Sequence, residues 1–208
     1  KLVDRPFDWA YQLEDLGYSG WEIVNEGRQR LTEGNLPEAR KIVETTGLVI
    51  TIHLPYSDLN LASVNQPIWE ETVRQMKTCL DLASDFARLA VVHPGHFSPL
   101  GMHMPDAAWL QNIKGIQEIC DHASNLDMRV AVENMVNMPA ILGRRPEEIE
   151  GIIETVDRDN LGFIFDDMYV PKSIRNQKPF IVTYPKSKAS SCVFIIADRI
   201  ANRETGET

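Results

Sequence analysis

Short apolar runs of strand length alternate, as far as Asp166, with longer stretches whose apolar residues recur at helical spacing. The strand-like runs lie at about 21–25 and in LVITIHLPY, LAVVHPGH, MRVAVEN and LGFIFD. The helical spacing predicts helices over 6–16, 36–46, 67–88, 106–125 and 146–156. Because parallel strands need long crossover connections, this order predicts five parallel strands joined by helices.

Both a doubly wound sheet and a (β/α)8 barrel have this alternation. A doubly wound nucleotide-binding fold normally carries G-x-G-x-x-G after its first strand, and the chain has no such motif. Polar residues close several of the strand-like runs, as in barrel enzymes, which draw catalytic residues from many strand ends. We therefore expect an α/β fold of the (β/α)8 TIM-barrel type.

The length and the end of the chain predict a partial barrel. The chain has 208 residues, whereas a complete barrel usually takes about 250. It begins at a predicted helix, so a first strand is expected to be missing. After Asp166 the rhythm changes, because FIVTY and CVFIIA are only a few residues apart and predict a hairpin or irregular tail. The expected division is a barrel region over 1–170 and a divergent basic tail over 171–208.

Four residues that bind divalent metals stand at or beside the ends of strand-like runs: His53, His93, Glu133 and Asp166. The carboxyl ends of parallel strands share one face, so two imidazoles and two carboxylates would meet there. A capped, hydrogen-bonded histidine explains His53 alone equally well. A carboxylate such as Glu133 is rarely buried without a partner. At the fifth run, strand alternation favours Asp166 over Asp167.

Net charge, the length of apolar runs and the cysteine count exclude several classes of protein. The net charge of −9 argues against a general nucleic-acid binder, although residues 171–208 hold seven Lys or Arg and only three Asp or Glu. No apolar run is long enough to cross a membrane. The three cysteines are too few for a disulfide framework, and with no signal-peptide pattern they predict a cytoplasmic protein.

The segments IHLPYSDLNLAS, VVHPGH, VAVENM and GFIFD resemble the xylose isomerase-like TIM-barrel superfamily, also called AP endonuclease family 2. That superfamily includes endonuclease IV and many sugar isomerases and epimerases. The H-x-P-Y…N-L-A-S stretch and HPGH are most similar to the endonuclease IV branch. The resemblance covers roughly residues 6–170, and its motifs are more specific for the superfamily than for one reaction.

The resemblance implies a site for a divalent metal, with zinc, manganese and magnesium as the candidate ions. His53, His93 and Glu133 match metal ligands of the endonuclease IV type. Glu133 and Asp166 match the carboxylates that sugar isomerases use as ligands and in catalysis.

Three further residues are substrate-binding candidates by the same resemblance. Asn134 would orient Glu133 or contact substrate, and His96 would lie in a loop beside the site. Glu22 would line the pocket, although a structural salt bridge explains Glu22 equally well.

The chain also departs from the family pattern. Tyr169 stands where a histidine is common, and no histidine follows His122 to complete the metal ligands. These departures predict a truncated or frame-altered chain, a site completed by a partner, or a pseudoenzyme.

Three functions remain open on the sequence. The first is a sugar or sugar-phosphate isomerase or epimerase that depends on a divalent metal. The second is an endonuclease IV-like phosphodiesterase acting on abasic DNA. HPGH and His53 favour it, whereas the acidic charge and the missing late histidines disfavour it. The third is a truncated, non-catalytic relative. The partner is accordingly expected to be a small sugar or sugar phosphate. DNA stays an alternative that the acidic charge disfavours, no membrane partner is expected, and the sequence assigns no oligomeric state.

Overall fold

A single parallel sheet organises the part of the chain that the computed structural model describes, which is residues 7, 8 and 10–164. The sheet has five strands in the order β1-β2-β3-β4-β5, and each strand is parallel to its neighbours. The strands are β1 Gly20–Val24, β2 Val49–His53, β3 Ala87–Val92, β4 Arg129–Glu133 and β5 Leu161–Ile164. The predicted parallel α/β arrangement is confirmed. Asp166, Tyr169 and the tail over 171–208 lie outside the described residues.

Helices form the connections between successive strands. They are α1 Leu36–Thr45, α2 Gln66–Ala83, α3 Pro99–His103, α4 Pro105–Asn125 and α5 Pro146–Val156. Four of them are the predicted helices, and α3 lies in a segment that the sequence presents as a loop. The Ser98 hydroxyl caps α3 by accepting a hydrogen bond from the Gly101 N–H at 3.0 Å. Among the described helices, none is both long and apolar enough to cross a bilayer.

The core lies between one face of the sheet and the helices. The strand residues on this face are almost fully buried: Trp21, Ile23, Ile50, Ile52, Ala90, Val92, Val130 and Val132. They pack with apolar residues of α1, α2, α4 and α5 into one cluster. Since side chains alternate along a strand, Glu22, Thr51 and Ala131 belong to the opposite face. That opposite face also carries the strand-end residues of the site.

The helix predicted over 6–16 is wrong. The described chain there has a short 3-10 helix, Ala10–Gln12, followed by turns. Its buried residues Phe7, Ala10 and Leu13 are spaced by three, which is the period of a 3-10 helix rather than an α-helix. Hydrogen bonds from Ala10 N–H to the Phe7 carbonyl and from Leu13 N–H to the Ala10 carbonyl follow the same spacing. Burial of this apolar row therefore sets the backbone conformation.

One predicted helix end differs from the structure, and one predicted N-cap has the expected position but a different side-chain bond. The helix predicted to reach residue 88 ends at Ala83, because Ala87 already pairs with Ile50 across the sheet. Asn35, the predicted N-cap of α1, makes no side-chain bond to the helix. Its amide group instead accepts from the Thr32 N–H and donates to the Arg30 carbonyl, which closes the preceding turn.

Two buried asparagines join the loops that follow β2 and β3. Asn60, only 8% exposed, accepts hydrogen bonds from the Ala62 and His96 N–H groups and donates to the His96 carbonyl, all at 2.9 Å. Asn112 of α4 accepts from the Gly95 N–H at 2.8 Å. The loops approach so closely that a Cβ on Gly95 would lie 2.3 Å from the Ala62 nitrogen. The N-L-A-S and HPGH motifs thus fix two loops against each other.

We expect Asn60→Ala to destabilise the protein by about 2–4 kcal/mol, because it leaves three backbone groups without their buried partner. The measurement is the free energy of unfolding from chemical denaturation. Asn137→Ala, at an exposed position, is the matched control and should change stability by less than about 0.5 kcal/mol. Equal stability of the two variants would contradict the role assigned to Asn60.

Candidate functional site

The carboxyl ends of three adjacent strands bring His53, His93 and Glu133 together. His53 and Glu133 are the last residues of β2 and β4, and His93 directly follows β3. The register carries all three side chains on the sheet face opposite the helices. Forty residues separate His53 from His93, and forty separate His93 from Glu133. Each interval therefore spans one crossover connection and the next strand, which ends at the same edge of the sheet.

The three side chains converge through one atom each. His53 Nε2 lies 3.1 Å from His93 Nε2 and 3.1 Å from Glu133 Oε2, and His93 Nε2 lies 2.8 Å from the same carboxylate oxygen. The side chains of His53, His93 and Glu133 are 7%, 22% and 16% exposed, respectively. This contact is the one cluster of three or more metal-ligand side chains found among the described residues.

The backbone on both sides of His53 is fixed by the sheet. The His53 carbonyl accepts from the Asn25 N–H at 3.0 Å, and the Leu54 N–H donates to the Val91 carbonyl at 2.9 Å. His53 Nδ1 lies 2.8 Å from the Leu54 carbonyl oxygen. Because a carbonyl only accepts hydrogen bonds, Nδ1 carries a proton. Nε2 of His53 therefore donates to Glu133 when the ring is protonated and offers a lone pair to an ion when the ring is neutral.

Charge in the cluster follows from these contacts. Burial lowers the pKa of His53, but the hydrogen bonds with Glu133 and the Leu54 carbonyl outweigh it, so that the pKa is raised above 6.5. Burial raises the pKa of Glu133, whereas its hydrogen bonds with His53 and His93 bring that pKa down to about 2. Glu133 is therefore ionised at neutral pH, and the cluster attracts a cation.

The donor set fits a divalent metal. Two ligands held at about 2.0–2.2 Å from one ion lie roughly 3 Å apart at right angles and about 3.4 Å apart in a tetrahedron. The three atoms of this cluster lie 2.8–3.1 Å apart, which suits the right-angled arrangement. Imidazole nitrogen and carboxylate oxygen are ligands that zinc and manganese accept. The Leu54 carbonyl fixes the tautomer of His53 as outer hydrogen-bond partners do in metal sites.

An aromatic ring stands against both imidazoles. The Tyr56 ring centre lies 4.6 Å from that of His93, with the planes tilted by 37°. It lies 5.1 Å from the His53 ring in an edge-on arrangement. Tyr56 is 38% exposed, so its ring forms part of the mouth of the cluster.

A cleft of about 620 Å³ opens beside His93, within the range of small-molecule sites. Its walls come from the loops after β2, β3 and β4 and from α2. Apolar residues such as Leu59, Ile68 and Met135 alternate there with polar ones. The cleft is thus continuous with one metal-ligand candidate and large enough for a sugar.

The predicted substrate-binding residues are placed differently from one another. His96 lines the cleft and is exposed. Glu22 lies on β1, where its carboxylate accepts a hydrogen bond from the Thr51 hydroxyl at 3.3 Å, and its charge contributes to the raised pKa of His53. Asn134 is half-buried beside Glu133, and its N–H donates to the Ile164 carbonyl. Asp166 lies outside the described residues. The roles of all four remain predictions.

Two residues of the site were not identified from the sequence. Tyr56 follows His53 by three residues in the H-x-P-Y motif, and that spacing was the available signal. Asn60 belongs to the N-L-A-S stretch, and a buried loop amide commonly organises backbone groups. The sequence pointed to chemistry at strand ends and gave less weight to the loops that hold it.

Comparison with known proteins supports the same architecture. A family model described as xylose isomerase-like TIM barrel matches residues 10–167. A D-tagatose 3-epimerase-like protein of known structure is 30% identical, with a TM-score of 0.69 over 74% of this chain and 59% of its own. A D-psicose 3-epimerase structure, at 16% identity, has a TM-score of 0.65 over 84% of this chain and 64% of its own.

Curated relatives include an uncharacterised protein of Methanocaldococcus jannaschii, 30% identical over 169 residues, or 79% of this chain and 58% of that protein. A probable endonuclease 4 of Staphylococcus saprophyticus is 28% identical over 158 residues, or 74% of this chain and 51% of its own length. The chain therefore spans a little over half the length of these relatives. Since the family model covers most of the sequence, the chain belongs to the xylose isomerase-like TIM-barrel family.

Proposed function

We propose that this protein is a divalent-metal-dependent isomerase or epimerase of a sugar or sugar phosphate. The observation that carries the proposal is the convergence of His53 Nε2, His93 Nε2 and Glu133 Oε2 within 3.1 Å of one another. The adjacent cleft offers room for a sugar. The epimerase-like structure at 30% identity is consistent with this reaction class.

Different residues would have different roles in the proposed reaction. His53, His93 and Glu133 would hold the ion, which when bound supplies positive charge to polarise a sugar carbonyl. The Glu133 carboxylate lies against both imidazole nitrogens, which suits it to the ligand role. Proton transfer in the proposed reaction would fall to Glu133 or to the second predicted carboxylate, Asp166.

The described cleft favours an uncharged sugar over a sugar phosphate. None of the described residues that line it is Lys or Arg, and Asp58 adds a carboxylate. Arg144 and Arg145 follow the cleft wall in sequence, but both contact the Glu148 carboxylate, at 3.4 and 2.9 Å. Arginine binds carboxylate and phosphate through the same bidentate contacts, so Glu148 competes with a phosphate for both guanidinium groups.

The second candidate function is an endonuclease IV-like phosphodiesterase acting on abasic DNA. The observation in its favour is that two imidazoles, and not carboxylates alone, form the cluster. The similarity to probable endonuclease 4 proteins supports it as well. The net charge of −9 weighs against it, because DNA binding depends largely on phosphate contacts from basic residues.

We expect the 208-residue chain to bind about one Zn²⁺ or Mn²⁺ per molecule, and Glu133→Gln to weaken the affinity by at least tenfold. The amide keeps the shape of the side chain but removes the charge that attracts the ion. Calorimetric metal titration is the measurement. Glu44→Gln, on the exposed side of α1, is the control and should bind like the unchanged chain.

Activity assays then separate the candidate reactions. Exchange of a ketose C–H proton with solvent would support the epimerase, and salt-sensitive cleavage of an abasic oligonucleotide would select the phosphodiesterase instead. Absence of metal binding in the unchanged chain would exclude both metal-dependent functions and leave the non-catalytic alternative.

The metal-free protein should lose stability as the pH rises above 6.5. The pKa of His53 is raised in the folded state, so the folded chain binds more protons than the unfolded chain between 6.5 and that raised pKa. The contribution of His53 to the free energy of unfolding is complete below pH 6.5. It disappears as the pH rises past the pKa of His53 in the folded state. The measurement is the thermal midpoint of metal-free protein between pH 6 and 9.

Bound metal should reverse this trend, since it requires the unprotonated Nε2 of His53 and competes with the proton. The metal-loaded midpoint is therefore expected to rise with pH over the same range. A metal-free midpoint that rises between pH 6.5 and 8 would contradict the assigned protonation of His53.

A further inference from the structure

The loop after β1 is held in one conformation by its own side chains. The Asn25 amide oxygen accepts from the Leu31 N–H at 2.6 Å, and the Gln29 amide oxygen accepts from the Val24 N–H at 3.1 Å. Gly27 has a φ of 52°, a left-handed conformation that glycine adopts without strain. Glu26, directly before it, is extended, with φ −131° and ψ 152°. The direction of the Glu26 side chain is therefore set by a fixed loop.

Glu26 reaches from this loop to the next one. Its Oε1 atom accepts hydrogen bonds from the Tyr56 N–H at 2.7 Å and from the Ser57 N–H at 2.8 Å. Hydrogen bonds to an ionised acceptor are stronger than neutral ones. Two of them on adjacent backbone groups define the orientation of the peptide that carries Tyr56.

Tyr56 transmits this orientation to the metal-ligand cluster. Its ring lies at 4.6 Å from the His93 ring and 5.1 Å from the His53 ring. A displaced Tyr56 would expose one side of both imidazoles to water and remove a packing contact that limits their rotation. Hydrogen-bond partners that orient metal ligands change metal affinity by about tenfold to a hundredfold when they are mutated. We expect a packed ring that limits the rotation of both imidazoles to act in the same direction.

We propose that Glu26 is a positioning residue of the metal-ligand cluster, acting through the backbone and ring of Tyr56. The inference rests on the metal site of the proposed function, and it assigns a role to a residue of the β1 loop. Glu26 touches neither substrate nor ion in this role.

The positioning role of Glu26 can be tested separately from any effect of Glu26 on the stability of the fold. Tyr56 and Ser57 are both exposed, so water can solvate their N–H groups when Glu26 is removed. The fold is then expected to persist while the Tyr56 ring loses its fixed position. Glutamine keeps an oxygen acceptor at the same place, so Glu26→Gln should retain most of the effect.

The test uses the full 208-residue chain with Glu26→Ala, Glu26→Gln, Tyr56→Ala and the double variant Glu26→Ala/Tyr56→Ala. Glu33→Ala, an exposed carboxylate shortly after the same loop, is the control. The first readout is the set of His53 and His93 ring proton shifts in metal-free protein, which report the Tyr56 ring current. The second is the Co²⁺ dissociation constant with the visible absorption of the bound ion.

Glu26→Ala should move the histidine ring shifts most of the way to their values in Tyr56→Ala and weaken Co²⁺ binding about 5–30-fold. Glu26→Gln and Glu33→Ala should stay within about threefold of the unchanged chain. The double variant should bind Co²⁺ like Tyr56→Ala alone, because the two residues act in series.

Unchanged ring shifts in Glu26→Ala would overturn the proposal. A second result would also overturn it. If Glu26→Ala weakens Co²⁺ binding by the same factor in the Tyr56→Ala background as in the unchanged chain, Glu26 acts independently of Tyr56. If the unchanged chain binds no Co²⁺, the proposed metal-dependent function fails, and the metal-free ring shifts still decide the role of Glu26.

Discussion

Parallel pairing of five consecutive strands is the constraint on which the site depends. Each strand is bonded to its sequence neighbour in the same direction, so every crossover returns the chain to one edge of the sheet. This geometry places His53, His93 and Glu133 within hydrogen-bond distance, although forty residues separate each from the next. The cost of bringing two imidazoles and a carboxylate together is offset by the sheet core, dominated by residues such as Ile52 and Val132 that are fully buried.

The sequence predicts the features that follow from periodicity and strand polarity. The five strands and four main helices carry clear apolar patterns, and the parallel order then implies that strand-end residues meet. The pattern mispredicts the segment over 6–16, because an apolar spacing of three is compatible with both an α-helix and a 3-10 helix over so short a length. Only packing of Phe7, Ala10 and Leu13 into the core decides between them.

The contacts between loops are the part of the site that could not be predicted from the sequence. Glu26 and Tyr56 are thirty residues apart, and Asn60 and His96 are thirty-six apart, with no periodic pattern linking either pair. Such contacts depend on the lateral distance between neighbouring strands, which fixes which loop residues face each other. The motifs HLPY, NLAS and HPGH mark these loops, but a motif does not reveal which atoms of its residues are bonded.

Cross-loop hydrogen bonding also bears on how a ligand enters. The loops after β2 and β3 are joined through Asn60, and the segment after β4 is joined to them because the Phe97 N–H donates to the Ala140 carbonyl and the Leu142 N–H to the Gly95 carbonyl. Because the three loops are bonded in this way, hinge motion of one loop at the described part of the entrance would break hydrogen bonds to its neighbours. The fast motion open to a ligand entering there is side-chain rotation at exposed positions of the cleft wall such as Ile68 and His96, which takes picoseconds to nanoseconds.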